Sequence, residues 1–333
     1  MKQHIKFALA LFVVGILINP CNAQLRSAPE KIRVVYSAIG ASQSTLWIPY
    51  EAGIFRKNGV EVELLYVGGG SRASQVLVSG DVAMGVFSGA TVVSANLAGG
   101  DLAILAAGTD VLPFILVAHP DVKRVEDLRG KKIGITRFGS TTDFALRFVA
   151  NKWGLRADTD FAVLQLGGQP EMMAGLVGGA VQAAMLNAEF AILAKREKYT
   201  QLVDVASLGL PFPTGTLNTS RAYIRKNEDV VRRLVRGYVE GIHFAKNRRE
   251  FSVSVLTKYL KNQDSAFVNA VYDMYIQQFI PKVPHPSLDA VRTVLSQLGE
   301  KDPKARVALP QQFVESRFMQ DLEKEGFVQQ LWR

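Results

Sequence analysis

Hydroxyl side chains and glycines recur where short apolar stretches give way to helical ones, and two arginines stand beside such points. In residues 127–144, DLRGKKIGITRFGSTTDF, Ile133 and Ile135 alternate with Gly134 and Thr136, which is strand spacing. Gly139, Ser140 and Thr141 follow at helix-capping positions, with Asp143 in the first turn. Free N–H groups and the positive end of the helix dipole meet at such a start, so it can hold an anion or a polar ligand group. A second copy lies upstream. Residues 60–67 alternate as a strand, and GGGSRASQ, residues 68–75, leads into a helix over 73–78. There Gly70 lets the backbone approach a ligand, Ser71 can cap, and Arg72 adds a fixed positive fork, as Arg137 does ahead of Gly139. The turn is not a phosphate-binding loop, because no Gly-Lys-Ser/Thr follows it, and it does not match the dinucleotide fingerprint.

No constellation for catalysis accompanies these turns. The four histidines, His4, His119, His243 and His285, share no metal-ligand spacing, and neither a G-x-S-x-G elbow nor an H-E-x-x-H pair occurs. The expectation is binding without chemistry: no catalytic residue, metal or cofactor.

The elements that position these turns alternate. Residues 32–36 read as a strand, 38–44 as a small-residue loop, and 46–55 as a helix. GDVAMGVFSGA, residues 80–90, precedes a helix over 91–98, and GGAVQAAMLNAEFA, residues 178–191, echoes it. This spacing predicts two α/β lobes with loops at the carboxyl ends of their strands facing one cleft. Residues 105–118 would carry the chain across and 214–224 would carry it back. The last third reads as helical: Val231, Leu234, Val235, Tyr238, Ile242 and Ala245 share one face over 228–246, and further helices are expected over 251–260, 266–279, 288–298 and 309–332. This third is expected to pack on the first lobe.

At the amino end, Lys2 and Lys6 flank the start of FALALFVVGILI, an apolar run of 12 residues, and a small-residue ending follows at Ala23. Such a run is short for a bilayer span and reads as a secretory signal peptide cleaved after Ala23. Cys21, the only cysteine, would leave with it, so the mature chain would have no thiol chemistry. The charge falls from +9 to +7 when both lysines leave, and no basic run argues for nucleic acid.

Several stretches in order resemble the exported solute-binding proteins of ABC importers of the nitrate/sulfonate/bicarbonate type, a group that includes taurine- and thiamine-precursor-binding relatives. They are EAGIFRKNGVEVEL (51–64), SGDVAMGV (79–86), EDLRGKKIGITRFGSTTDF (126–144), DVVRRLVRGYVEGIHFAK (229–246) and PQQFVESRFMQDLEKEGFV (310–328). The resemblance covers essentially the whole mature chain. It implies an α/β, two-lobed periplasmic-binding-protein-like fold of type II, each lobe a mixed sheet flanked by helices, with a two-strand hinge and a helical C-terminal third. The organisation implied is a signal peptide over 1–23, lobe I over 24–114 and 222–333, and lobe II over 115–221. Two departures stand out. Ala83 and Gln182 occupy strand positions where relatives usually carry Asp, and Asn187-Ala188-Glu189-Phe190 replaces a usual Glu-Pro or Asp-Pro.

The function expected is a periplasmic receptor, monomeric, that binds a small solute between two lobes and delivers it to ABC permease subunits in the inner membrane. The helix starts favour an anionic organic or inorganic solute such as a sulfonate or nitrate. Ligand contacts are expected from Ser42, Gln43 and Trp47 of the first loop and helix, from Gly70, Ser71, Arg72 and Ser88, and, on the second lobe, from Arg137, Gly139, Ser140, Thr141, Asn187 and Glu189. The alternatives are a ligand-sensing module of the same fold without transport, or a site for a neutral pyrimidine or aromatic precursor. A cytoplasmic pyrimidine-forming enzyme shares the fold family, but its cysteine- and histidine-bearing motifs are missing here.

Overall fold

The computed structural model describes residues 28–333, so the expected signal peptide and Cys21 lie outside the described residues. The first lobe is built on a sheet in the order β2-β1-β3-β10-β4. Its strands are β1 (Glu30–Tyr36), β2 (Val60–Tyr66), β3 (Met84–Phe87), β4 (Leu102–Ala106) and β10 (Thr216–Ser220). The second is built on the order β7-β6-β8-β5-β9, with β5 (Phe114–Ala118), β6 (Lys132–Ile135), β7 (Ala162–Gln165), β8 (Ala183–Asn187) and β9 (Thr200–Asp204). The two sheets share one plan. Three neighbouring strands run parallel, and the fourth, β10 or β5, is antiparallel to both of its neighbours. That antiparallel strand is in each case the one arriving directly from the other lobe.

Helices cover both sheets. They are α1 (Ser44–Glu51), α2 (Ile54–Lys57), α3 (Gly70–Val78), α4 (Gly89–Leu97), α5 (Thr141–Lys152), α6 (Gln169–Val177), α7 (Ala188–Arg196), α8 (Arg221–Lys226), α9 (Glu228–Asn247), α10 (Arg249–Leu260), α11 (Ser265–Tyr272), α12 (Leu288–Gly299), α13 (Pro303–Val307), α14 (Arg317–Lys324) and α15 (Phe327–Leu331). The apolar stripe of α9 is buried as its spacing requires, and α1 packs across it. Three helices expected to be continuous are broken. Residues 46–55 split at Ala52–Gly53, where Gly53 adopts φ 67° and ends α1. Residues 266–279 change at Asp273 into a π turn that runs to Phe279. Residues 309–332 form a short 3-10 turn, then α14, then α15 beyond Gly326 at φ 73°.

The chain crosses between sheets twice, and the crossings run side by side. Thr109 and Thr214 each donate their N–H to the other's carbonyl at 3.0 Å. The return crossing, expected over 214–224, ends before residue 216, because β10 already hydrogen-bonds to β3 and β4 of the first sheet. Beside this hinge, Phe114, Phe144 and Phe212 join one apolar core with Val35 and Phe87 from the first lobe and Val291 and Val294 from α12. The rings of Phe144 and Phe212 lie 5.8 Å apart, and Gln297 of α12 donates to the carbonyl of Phe144 at 3.0 Å. A second core joins the first sheet to α1, α9, α10, α11, the π turn and the terminal helices.

Candidate functional site

Three helices start where their preceding strands end, and all three starts face one small cavity between the lobes. They are α3, entered through Gly69, α5, entered through Ser140, and α6, entered through Gly168. At α3 and α5 no side chain among the described residues accepts the first-turn N–H groups, whereas at α6 the Glu171 carboxylate accepts the Gly168 amide at 2.9 Å and Pro170 has no N–H to offer. By contrast α4, α7, α8, α11 and α12 are capped by Ser88, Asn187, Ser220, Asp264 and Ser287. Free amides therefore converge from both lobes, from α3 of the first and α5 of the second, with the capped start of α6 beside them.

The cavity measures about 50 Å³ and its lining contains no charged side chain. Ser37, Ser42, Gly69, Gly70 and Thr214 line it from the first lobe and the hinge, with Tyr275 from the π turn. Thr136, Ser140, Thr141, Thr142, Gly168, Gln169 and Asn187 line it from the second. At the head of α5 three hydroxyls form a triangle: Thr136 to Ser140 is 2.8 Å, Thr136 to Thr142 is 2.9 Å, and Ser140 to Thr142 is 3.0 Å. The Ser140 hydroxyl donates to the Arg137 carbonyl at 2.7 Å, and Thr142 Oγ1 accepts the Thr136 amide at 2.9 Å. Three short contacts share the two remaining hydroxyl hydrogens, so the cluster is preorganised and can turn a donor toward a guest. Gln169 Oε1 accepts the Asn187 amide at 3.0 Å, which ties the start of α6 to the end of β8.

Of the residues expected from sequence, Ser42, Gly70, Ser140, Thr141 and Asn187 meet at this cavity. Arg137 lies at its rim, its Cγ packed over Gly69, where a Cβ would come within 2.6 Å of it. The Nε of Arg137 is buried without a hydrogen-bond partner among the described residues. Gly69 itself holds φ 87°, a conformation that suits glycine. Ser71 is half-buried in the first turn of α3, Gly139 half-buried at the tip before α5, and Arg72 points outward, exposed. The rest lie off the lining. Trp47 is wholly buried because α1 is enclosed by the first-lobe core, and it stacks on Tyr259 at 4.5 Å. Gln43 is buried on the turn leading into α1. Ser88 is spent as the cap of α4 and as a donor to the Pro213 carbonyl at 3.2 Å. Glu189 is buried behind the wall, where its carboxylate accepts the Ala41 amide and faces the Tyr275 hydroxyl at 3.3 Å. Burial pushes its pKa up, and the amide and hydroxyl donors pull against that shift.

Sequence reasoning passed over α6, whose approach, LQLGGQPEM over 164–172, repeats the strand–glycine–helix pattern with Pro170 in the first turn. Tyr275 and Thr214 reach the cavity through tertiary packing and carry no local signal.

A family model described as NMT1/THI5-like matches residues 45–250 of the chain. The chain belongs to this NMT1/THI5-like family. A Brucella abortus (strain 2308) relative, carried by name only as a candidate binding protein, is 26% identical over 268 residues, covering 78% of this chain and 80% of its own. Among solved structures, the alkanesulfonate-binding protein SsuA from Xanthomonas axonopodis pv. citri, bound to MOPS, is 18% identical with a TM-score of 0.72, over 87% of this chain and 99% of its own. The periplasmic nitrate-binding protein NrtA from Synechocystis PCC 6803 is 13% identical with a TM-score of 0.74, over 90% of each. A Bordetella bronchiseptica RB50 protein is 18% identical with a TM-score of 0.79, over 89% of this chain and 97% of its own. At these identities the likeness is one of fold. This NMT1/THI5-like chain has the two-lobed periplasmic-binding-protein fold found in solute-binding proteins of ABC importers. Among the described residues no helix is long and apolar enough to cross a membrane.

Proposed function

We propose that the chain is an extracytoplasmic solute receptor that holds a small, oxyanion-bearing solute between its lobes and presents it to an ABC permease. The observation that carries this reading is the convergence of two uncapped helix starts, α3 from the first lobe and α5 from the second, on one cavity. Backbone N–H groups with aligned helix dipoles suit a group with several acceptor oxygens, such as a sulfonate or nitrate. Charge then comes from the dipoles, with Arg137 at the rim, rather than from a side chain in the lining. The alkanesulfonate and nitrate specificities named for two structural neighbours point to the same chemistry. A cavity of about 50 Å³ holds only a small group, whereas organic ligands of drug size fill roughly 300–1,000 Å³. The solute is therefore small, or only its oxyanion head enters while the lobes stand wider around the remainder.

The reading includes export, with lobe I over 24–114 and 222–333 and lobe II over 115–221 apart from β10. N-terminal sequencing of the secreted form should begin at Gln24. A thermal-shift panel of nitrate, bicarbonate, short sulfonates, carboxylates and pyrimidines tests the ligand class. Ligand at about 100 times its dissociation constant stabilises the fold by roughly 2.7 kcal/mol, enough to move the melt. A panel in which only neutral ring compounds shift the melt removes the oxyanion reading and favours a pyrimidine-type ligand instead.

A further inference from the structure

Two carboxylates are buried among the described residues, Asp143 and Glu189. Asp143 is neutralised within its own helix by Arg147 at 2.8 Å and also accepts the Gly139 amide. Glu189 has no cation beside it among the described residues. Both of its contacts reach from the second lobe to the first: the Ala41 amide just after β1, and the hydroxyl of Tyr275, whose ring is embedded in the first-lobe core. Two residues earlier, Asn187 Nδ2 donates across the same gap to the Ile39 carbonyl at 3.4 Å. Gly40 lies between these two first-lobe residues. A Cβ there would sit 2.5 Å from Asn187 Nδ2 and 3.4 Å from Glu189 Oε1. Its φ of 178° is ordinary extended backbone, so the position needs glycine for space and not for its dihedral.

We propose that Glu189 is an internal ligand, a carboxylate from the second lobe that docks on the first and holds the lobes together when no solute is present. In the open form water solvates this carboxylate. Closing strips the water and returns two donors, the Ala41 amide and the Tyr275 hydroxyl. The amide bond is the indispensable one, because an unmatched carboxylate in that position would oppose closure. Solute then enters a form that is already partly closed, and the latch sets what fraction of the protein is competent to bind it. This goes beyond the solute reading, since the latch operates without solute.

The experiment is a pulsed dipolar distance measurement on the full mature protein without added solute. Spin labels go on Val78→Cys and Val177→Cys, exposed positions on α3 and α6 of opposite lobes, in the mature chain from Gln24, whose sequence has no other cysteine. The parent should show a dominant short distance. Glu189→Ala removes the latch, and Gly40→Val leaves it intact but wedges its seat. Each should raise the open-to-closed ratio roughly 10-fold, the effect of leaving the buried Ala41 amide without its acceptor. Glu189→Gln keeps an acceptor for the Ala41 amide and should stay with the parent, while cooperative melts confirm that each variant is folded. A parent already at the longer distance, an open Glu189→Gln, or Glu189→Ala and Gly40→Val distributions that superpose on the parent's would overturn the proposal. Because no solute is present, none of these results bears on the oxyanion site, and failure of the ligand panel leaves the latch standing.

Discussion

Asp110 sits in the outgoing hinge segment, one residue past the Thr109–Thr214 pair, and its Oδ1 is buried without a hydrogen-bond partner among the described residues. Burial alone raises its pKa from 3.8 to about 6, with no cation acting against the shift. The sign follows from linkage. The folded-state value lies above the unfolded one, so Asp110 favours the fold while protonated in both states, below 3.8, and that contribution is lost as pH rises through about 6. Replacing it by asparagine removes the titration and should stabilise the protein above that window. A rise of about 2 pK units corresponds to about 3 kcal/mol at 1.36 kcal/mol per unit. The residue is only partly enclosed, so solvent screening lowers the expected gain to about 1–2 kcal/mol. Urea denaturation of the parent and Asp110→Asn at about pH 4 and about pH 8 reads this directly. The stability difference between the two proteins should grow across the window, and taking the difference cancels the other carboxylates. An equal difference at both ends of the window would refute the reasoning, as would an Asp110→Asn protein less stable at the alkaline end.

Other expectations follow from the site and the core. For an oxyanion solute, Arg137→Ala should weaken binding by about 10- to 150-fold, the loss of one charge-assisted hydrogen bond, whereas exposed Arg72→Ala should leave it nearly unchanged by calorimetric titration. Phe212→Ala empties a fully buried position against Phe144 at the meeting of the lobes and should cost about 3–5 kcal/mol in chemical denaturation. Thr142→Val preserves shape but strands the Thr136 amide, and a loss of about 1–3 kcal/mol is expected, with weaker solute binding on top.

Much of the architecture could be read from local pattern. The alternation in β1, β2 and β6 and the stripe on α9 place each element near its observed position, because one buried face imposes its period on the residues. Helix starts were legible for the same local reason, since glycine and small hydroxyls mark them. Function at those starts was harder to separate from capping. Ser88 and Ser140 look alike in sequence, yet Ser88 caps α4 while Ser140 leaves its helix start open and joins a hydroxyl triangle. What separates them is which chain segment arrives opposite, and that is a tertiary fact. Trp47 carries the same lesson: its helix is enclosed by α9 and α10, segments nearly two hundred residues away. The place of β10 between β3 and β4, and of Tyr275 against the second lobe, likewise depends on long-range packing that leaves no periodic trace.

The insertion of β10 into the first sheet also bears on how the molecule comes into being. β4 ends at Ala106, and β10, its neighbour in the sheet, does not begin until Thr216. A ribosome or translocon therefore delivers the amino-terminal strands long before the strand that joins them to β4. The second sheet has no such wait, since it draws all of its strands from the contiguous stretch 114–204. The second lobe should be the nursery of the fold, with the first sheet sealed late by a strand threaded into its middle. Pulse-labelled hydrogen exchange during refolding would show amides of β6 and β8 protected before those of β4 and β10, and the reverse order would rule this assembly sequence out.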